Sequence, residues 1–171
     1  MAERYEKALE ATMRASEIDA GLHGVNSVIL ASDLSLLAMI HEKSGHFAEA
    51  ETYYSRSLDM RRKTLGDRHP ETARTMYQMG CFYKNFCRHD QSEPCFRGVY
   101  ATLAKNDRDD SEIYLDVLKQ LTETSITNGN LTELEKFLKE SLEAHIRILG
   151  LDRERVILTL PVFPSVRFQW S

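Results

Sequence analysis

The chain has 171 residues, of which 42% are apolar and 28% are charged, and its formal net charge is −4. This length suffices for one sizeable core, and the mixture is that of a globular rather than a disordered protein. The acidic balance, with a pI near 5.9, argues against a general binder of nucleic acid or of anionic membranes. No apolar stretch approaches the ~18 residues of a membrane span. Charged side chains among the first ten residues argue against a secretory leader.

The cysteines, Cys81, Cys87 and Cys95, indicate a reduced compartment. An odd, low number of thiols without a secretory leader is typical of an intracellular protein, so we expect a cytoplasmic location. Their spacings of six and eight residues do not match the closely spaced ligand pairs of a zinc site. We therefore expect structural thiols rather than disulfides or metal ligands.

A repeat of 42 residues runs through the chain. Leu34, Met76 and Leu118 are 42 residues apart, and the positions around them agree in type. Self-similarity at a period of 20 to 50 residues is the signature of a repeat array. The same step aligns Leu37-Ala38 with Met79-Gly80 and Leu121-Thr122, Gly45 with Cys87 and Gly129, and Ala50 with Ser92 and Leu134.

Each unit contains two helical halves. Leu34, Leu37, Ala38 and His41 follow the i, i+3, i+4, i+7 spacing of one helix face. The second half is clearest in the third unit, where one apolar stripe extends over about four turns. The stripe consists of Leu131, Leu134, Leu138, Leu142 and Ile146.

The turn between the two halves is also predicted by residue type. Gly129 can adopt the left-handed conformation that ends one helix, and Asn130 can cap the next helix. In the second unit Cys87 replaces the turn glycine and Gly98 lies inside a helix. Each departure should cost about 1 kcal/mol or less, so we expect the second unit to be the least stable.

These positions resemble the tetratricopeptide repeat, and they are most similar to the 42-residue variety of kinesin light chains and nephrocystin-3-like proteins. The resemblance is carried by residues 37–51 and by the segment Leu65-Gly66-Asp67-Arg68-His69-Pro70-Glu71-Thr72-Ala73, which matches the Leu-Gly-x-x-His-Pro-x-x-Ala linker of that group. It covers about residues 4–150. It implies an all-α fold, a right-handed superhelical solenoid of antiparallel helix pairs.

The repeat phase divides the chain into five segments. Residues 1–24 are expected to form the second helix of a partial repeat. Residues 25–66, 67–108 and 109–150 are expected to form repeats one, two and three, of which repeat two is degenerate. Residues 151–171 are expected to form an aborted helix and an apolar tail.

The C-terminal segment departs from the repeat phase. Val156–Leu160 begins a new first helix, which Pro161 and Pro164 then stop. The apolar tail, Val162–Trp170, would either cover the last helix as a cap or mark the chain as a truncated or spliced product of a longer array. We favour the second interpretation.

The sequence contains no motif for catalysis, such as a glycine-rich phosphate loop or a nucleophile elbow. His69 lies in the linker before Pro70, where we expect a structural role, and His41 falls on the packed helix face. We expect the run Arg61-Arg62-Lys63 to be a solvated helix end, favoured by the negative end of the helix dipole. We therefore predict that the chain is not an enzyme and that it has no catalytic residues, no cofactor and no metal.

The resemblance implies a concave groove that the first helices of the repeats line, with room for an extended peptide. Its amides would bond the peptide backbone, its cations would meet acidic side chains, and Met39 and Tyr77 would offer apolar contact. The alternative is that these residues are merely solvated helix faces. The candidate groove residues are Ser35, Met39, Lys43, Arg74, Tyr77, Gln78, Lys84, Asn85, Lys119 and Gln120, and the flanking groove positions include Ser32, Leu36 and Glu42.

The sequence therefore favours a non-catalytic scaffold that binds other proteins or peptides, in the manner of an adaptor. The alternative function is a structural unit that associates with itself through open ends. We expect no nucleic-acid partner and no membrane span. The paired asparagines that kinesin light chains show in the first helix are absent from the equivalent positions, so the cargo preference of that family is not transferred.

Overall fold

A computed structural model describes residues 2–24, 27–104 and 112–149. Within these ranges the chain forms α-helices and no strand, so the predicted all-α repeat fold is confirmed. The expected helix at Val156–Leu160 and the apolar tail lie outside the described residues. The helices are α1 (Ala2–His23), α2 (Val28–Lys43), α3 (Phe47–Leu65), α4 (Pro70–Asn85), α5 (His89–Leu103), α6 (Glu112–Thr127) and α7 (Leu131–Leu149).

The helices belong to two compact units that divide near residue 109. Unit 1 contains α1 to α5, and unit 2 contains α6 and α7. In unit 1, α1 packs on α2, α2 on α3, α3 on α4, and α4 on α5. In unit 2, α6 packs on α7. Short turns within the pairs α2/α3, α4/α5 and α6/α7 make the paired helices antiparallel. The repeat boundaries proposed from the sequence remain predictions.

The turns that follow α2, α4 and α6 share one geometry. Gly45, Cys87 and Gly129 have φ angles of 81°, 57° and 66°. In each turn a backbone N–H donates to the carbonyl five residues earlier, which is the hydrogen bond of a left-handed helix terminus. The donors and acceptors are His46 and His41, Arg88 and Tyr83, and Asn130 and Ser125, each at 2.9 Å. Cys87 therefore occupies the place of the turn glycine, as the 42-residue step predicts.

Side-chain caps begin α4 and α7, and the hydroxyl of Ser27 likewise caps α2 by accepting from the Leu30 N–H at 3.0 Å. The Nδ1 atom of His69 accepts a hydrogen bond from the Glu71 N–H at 3.2 Å, directly before Pro70 at the start of α4. The Oδ1 atom of Asn130 accepts one from the Glu133 N–H at 3.2 Å. Each of these contacts satisfies a backbone N–H group of the first helical turn that has no hydrogen-bond partner within the helix. The structural role expected for His69 agrees with this geometry.

Small residues let α4 and α5 approach closely. A Cβ atom on Gly80 would lie 2.9 Å from Cε1 of Phe96 and 3.2 Å from Cβ of Cys95. A Cβ atom on Gly98 would lie only 2.0 Å from the methyl carbon of Met76. Gly98 was expected to be a simple weakness of the helix. The structure shows that its missing side chain makes room for Met76, which compensates part of the backbone cost.

The prediction that residues 61–63 form a solvated helix end is wrong for Arg61. Its side chain is buried, with 4% of the residue exposed, although Arg62 and Lys63 are exposed. Arg61 Nη2 donates to Ser32 Oγ at 2.9 Å, and Nη1 donates to the Glu71 carbonyl at 3.1 Å and to Thr75 Oγ1. The prediction failed because a basic run at a helix end does not reveal which member faces the neighbouring helices.

We expect Gly80→Ala to destabilise unit 1. The added methyl group overpacks the contact of α4 with Phe96, which should cost about 1–3 kcal/mol and outweigh the better helix propensity of alanine. Gly21→Ala in α1 is the matched control, because no atom beyond the adjoining backbone of its own helix lies within 4 Å of its Cβ position. That change should raise stability by up to about 1 kcal/mol. Urea unfolding measures both values, and equal effects would contradict the packing argument.

Cys87→Gly should stabilise the chain, because glycine adopts the left-handed conformation without the steric cost that a Cβ brings. The expected gain is about 1 kcal/mol. Cys87→Ser keeps the Cβ atom and serves as the control, so it should leave the unfolding free energy nearly unchanged. A serine variant as stable as the glycine variant would assign the effect to loss of the thiol instead.

The stability of the α1–α2 contact is expected to depend on pH through Asp33. Burial, followed by the neighbouring Asp19 carboxyl, raises the pKa of Asp33 above its ordinary value, and its Oδ2 atom is buried without a donor. Protonation of Asp33 thus favours the fold, and this stability is lost as the pH rises through the folded-state pKa. Asp33→Asn should raise the Tm at pH 7 by up to about 2 °C, and the gain should shrink towards pH 4.

The control for this prediction is Asp59→Asn, which changes the same charge at an exposed position of α3. Its Tm shift should be small and should not follow the pH profile of Asp33→Asn. A rise in Tm for Asp33→Asn that is as large at pH 4 as at pH 7 would contradict the protonation model.

Candidate functional site

Helices α2 and α4 of unit 1 carry eight of the ten predicted groove residues. The other two, Lys119 and Gln120, lie on α6 of unit 2. We use the name α2–α4 face for the side chains of these two helices that are in mutual contact, together with their exposed neighbours. It consists of Leu36, Met39, Glu42, Lys43, Arg74, Gln78 and Asn85.

On α2, two of the three candidates are accessible. Met39 is 40% exposed, and Lys43 is exposed in the last turn. Ser35 is instead buried at 6% exposure, and its hydroxyl lies 2.7 Å from the hydroxyl of Ser57. Ser57 also donates to the Ala31 carbonyl at 2.6 Å. Ser35 therefore joins α2 to α3, and the structure does not place it on the α2–α4 face.

On α4, the candidates differ in exposure. Arg74 and Asn85 are exposed, whereas Tyr77, Gln78 and Lys84 are half-buried. The Tyr77 ring packs at 6.1 Å, centroid to centroid, from the ring of Phe96 on α5. Tyr77 thus contributes to the packing of α4 on α5 as well as to the surface.

Two contacts join α2 to α4. Gln78 Nε2 lies 3.8 Å from Met39 Sδ, a weak acceptor, and Asn85 Nδ2 donates to Glu42 Oε1 at 3.3 Å. The carbonyl oxygen of Gln78 is buried and has no hydrogen-bond partner. The structure therefore brings together four side chains that the family resemblance assigned to a groove.

Glu42 is anchored from behind by α3. The Tyr54 hydroxyl donates to Glu42 Oε2 at 3.0 Å, and Tyr54 is 2% exposed. Burial, followed by the charge of Glu42, raises the pKa of Tyr54 well above its ordinary value. The phenol therefore remains a proton donor, and it fixes the position of the carboxylate.

The other end of the α2–α4 face carries a cluster of three charges. Glu71 Oε2 lies 3.5 Å from Arg61 Nη2, and Glu71 Oε1 lies 3.9 Å from Arg74 Nη1. Burial lowers the pKa of Arg61 while Glu71 opposes that shift. Arg74 is largely exposed, at 62% of its side chain, so it can also reach a ligand. Sequence reasoning missed the contribution of Arg61, because it treated the whole run of residues 61–63 as solvated.

In unit 2, one candidate is accessible and one is not. Lys119 is exposed, whereas Gln120 is 7% exposed and its Nε2 atom lies 3.4 Å from Asp116 Oδ1. Gln120 is therefore buried rather than open to a ligand. A ligand-binding role for Lys119 remains a prediction.

Two groups with potential reactivity, the Cys95 thiol and the His41 imidazole, lie in half-buried surroundings. Burial raises the pKa of the Cys95 thiol to about 11, which disfavours the reactive thiolate. Burial, followed by His46, lowers the pKa of His41, whose ring stacks on Tyr53 at 5.2 Å. Within residues 2–24, 27–104 and 112–149, no three His, Cys, Asp or Glu side chains are grouped as metal ligands.

No helix in the described ranges combines the length and the apolar character that a membrane crossing requires. Cys87 is exposed, Cys81 and Cys95 are half-buried, and no disulfide joins these three residues.

Solved structures of repeat proteins are similar to this chain. The crystal structure of BtubC (BKLC) from P. vanneervenii matches with a TM-score of 0.74 and 19% identity, over 99% of this chain and 63% of that chain. A point variant of a putative kinesin light chain from Podosopora anserina, with nearly identical TPR-like repeats, has a TM-score of 0.69 and 19% identity, over 86% of this chain and 73% of that one. A second structure of that protein has a TM-score of 0.68 and 19% identity, over 85% of this chain and 72% of that chain.

This likeness shows the fold, and the chain spans 63% of the length of the BtubC chain. A comparison with curated protein sequences found no match. A family model described as tetratricopeptide repeat matches residues 1–63 and 33–105. These ranges together cover more than half of the chain and confirm the resemblance inferred from the 42-residue period. The chain belongs to the tetratricopeptide repeat family.

Proposed function

We propose that unit 1 is a non-catalytic adaptor that binds an extended peptide segment of another protein along the α2–α4 face. Tetratricopeptide repeats are generally protein-interaction scaffolds. One observation carries the proposal. The exposed apolar side chains of Leu36 and Met39, at 47% and 40% exposure, share this face with the amides of Gln78 and Asn85.

The spacing of the two amides suits an extended peptide. Gln78 and Asn85 are seven residues apart on α4, about two turns or roughly 10.5 Å along the helix. Three residues of an extended chain cover about 10 Å. The NH₂ group of Gln78, whose carbonyl oxygen is buried, can donate to a ligand carbonyl, and the Asn85 amide offers both a donor and an acceptor. The pair can therefore bond the backbone of a ligand at two positions three residues apart.

Apolar contact would supply much of the affinity. Leu36 and Met39 lie three residues apart on α2, so they form one continuous patch on the helix surface. Covering them removes apolar surface from water, which is worth about 1–2 kcal/mol for each well-buried side chain. Lys43 and Arg74 flank the patch and would meet acidic side chains of the same ligand.

Self-association is the second candidate function, and α1 supplies the observation that favours it. Ile18 and Leu22 are 61% and 72% exposed, and they continue a stripe of exposed residues that includes Ala11 and Ala15. Contiguous exposed apolar surface often marks an interaction site. Light scattering over a range of concentrations separates the two functions, because a chain that remains monomeric at high concentration excludes self-association.

The remaining parts of the proposal concern location and partners. We expect the chain to act in the cytoplasm and to bind proteins rather than nucleic acid. The net charge of −4 supports the second expectation, since a nucleic-acid surface would be repelled overall.

The peptide-binding proposal is tested with a displayed library of random peptides. The purified chain should enrich a set of related sequences, and Met39→Ser should lower the affinity for the best peptide by about 5- to 30-fold, as loss of 1–2 kcal/mol of apolar contact requires. Met13→Ser is the matched control, because Met13 is 42% exposed but lies on α1. Fluorescence anisotropy with the labelled peptide gives both affinities.

The control variant should bind the peptide with an affinity within about twofold of that of the unchanged chain, which is a difference of roughly 0.4 kcal/mol in binding free energy. Equal losses in the two variants would place the binding site elsewhere. Failure to enrich any peptide family would overturn the proposed function.

A further inference from the structure

A fixed carboxylate lies on the face whose cations were expected to meet acidic side chains of a ligand. Glu42 accepts from the Tyr54 hydroxyl on one oxygen, at 3.0 Å, and from the Asn85 amide on the other, at 3.3 Å. Both donors are neutral, so neither compensates the negative charge of Glu42. Ligand groups near Asn85 therefore meet a negative charge.

The orientation of Glu42 is constrained by the helices around it. Tyr54 is buried in the α2–α3 contact and cannot move its hydroxyl without repacking the core. Lys43, the next residue, projects about 100° away from Glu42 around α2, so it lies at the edge of the α2–α4 face. The carboxylate is consequently held in place before a ligand binds, which lowers the entropic cost of using it.

Asn85 is the exchangeable partner of this carboxylate. It is exposed, and its bond to Glu42, at 3.3 Å, is long for a charge-assisted hydrogen bond. A cationic donor would form a shorter and stronger bond with the same oxygen. The Asn85 amide would then be released to bond the backbone of the ligand.

We propose that Glu42 selects ligands that carry a lysine or arginine side chain at the position beside Asn85, with apolar residues placed for Met39 and Leu36. This specificity rests on the proposed function, since a peptide must occupy the α2–α4 face. An acidic side chain at that position is repelled by Glu42. The partner is therefore a protein segment of mixed basic and apolar character at this end of the face.

The test compares peptides selected on three proteins, namely the unchanged chain, Glu42→Gln and Glu49→Gln. The glutamine at position 42 keeps one carbonyl oxygen as the acceptor for the Tyr54 hydroxyl and turns its NH₂ group towards Asn85, whose amide can rotate to accept from it. The charge is removed, and circular dichroism checks that the fold persists. Glu49 is exposed on α3 and supplies the matched loss of charge. The unchanged chain and Glu49→Gln should enrich a basic residue at one register, and Glu42→Gln should not.

A double-mutant cycle then assigns the contact. Replacement of the selected lysine by norleucine should weaken binding to the unchanged chain about tenfold and binding to Glu42→Gln less than twofold. Enriched peptides that lack a basic residue, or equal losses in both proteins, would overturn the selectivity while leaving peptide binding intact. If no peptide is enriched on the unchanged chain, both the proposed function and this inference fail.

Discussion

The guanidinium of Arg61 is the contact on which the arrangement of α2 and α4 depends. From α3 it donates to Ser32 on α2 and to the Glu71 carbonyl and Thr75 on α4. A buried cation needs such a set of acceptors, because an uncompensated one is strongly destabilising. The two helices of the α2–α4 face are thus positioned by a side chain that lies behind them.

This dependence connects the packing of the helices with the composition of the α2–α4 face. A pair of antiparallel helices cannot bury its apolar face alone, and in unit 1 the α2/α3 pair packs on the α4/α5 pair through α3 and α4. Where α2 and α4 come to lie in one surface, Gln78 reaches Met39 and Asn85 reaches Glu42. The same packing positions Tyr54 beneath Glu42. Groups that hold the fold together therefore also determine the charge that a ligand meets.

Particular residues show how far sequence reasoning reaches. The glycine turns and the Asn130 cap were predicted because backbone conformation follows from local residue type. Met39 and Asn85 were predicted to be accessible, and they are exposed. Ser35 and Gln120 were assigned to the same surface but are buried. Repeat phase assigns a residue to a helix side only to within a fraction of a turn, and a small rotation moves a polar side chain between helices.

The sequence by itself determined that the chain is an array of helix pairs, because a 42-residue period, the helical spacing of apolar residues and the turn residues are all local properties of the chain. Only the tertiary structure decided which charged groups are buried and which face a ligand. Arg61 is enclosed, and Glu42 is fixed beside Asn85, through contacts with residues from 10 to 43 positions away in sequence. Such contacts depend on how three helices pack together, which no local pattern encodes.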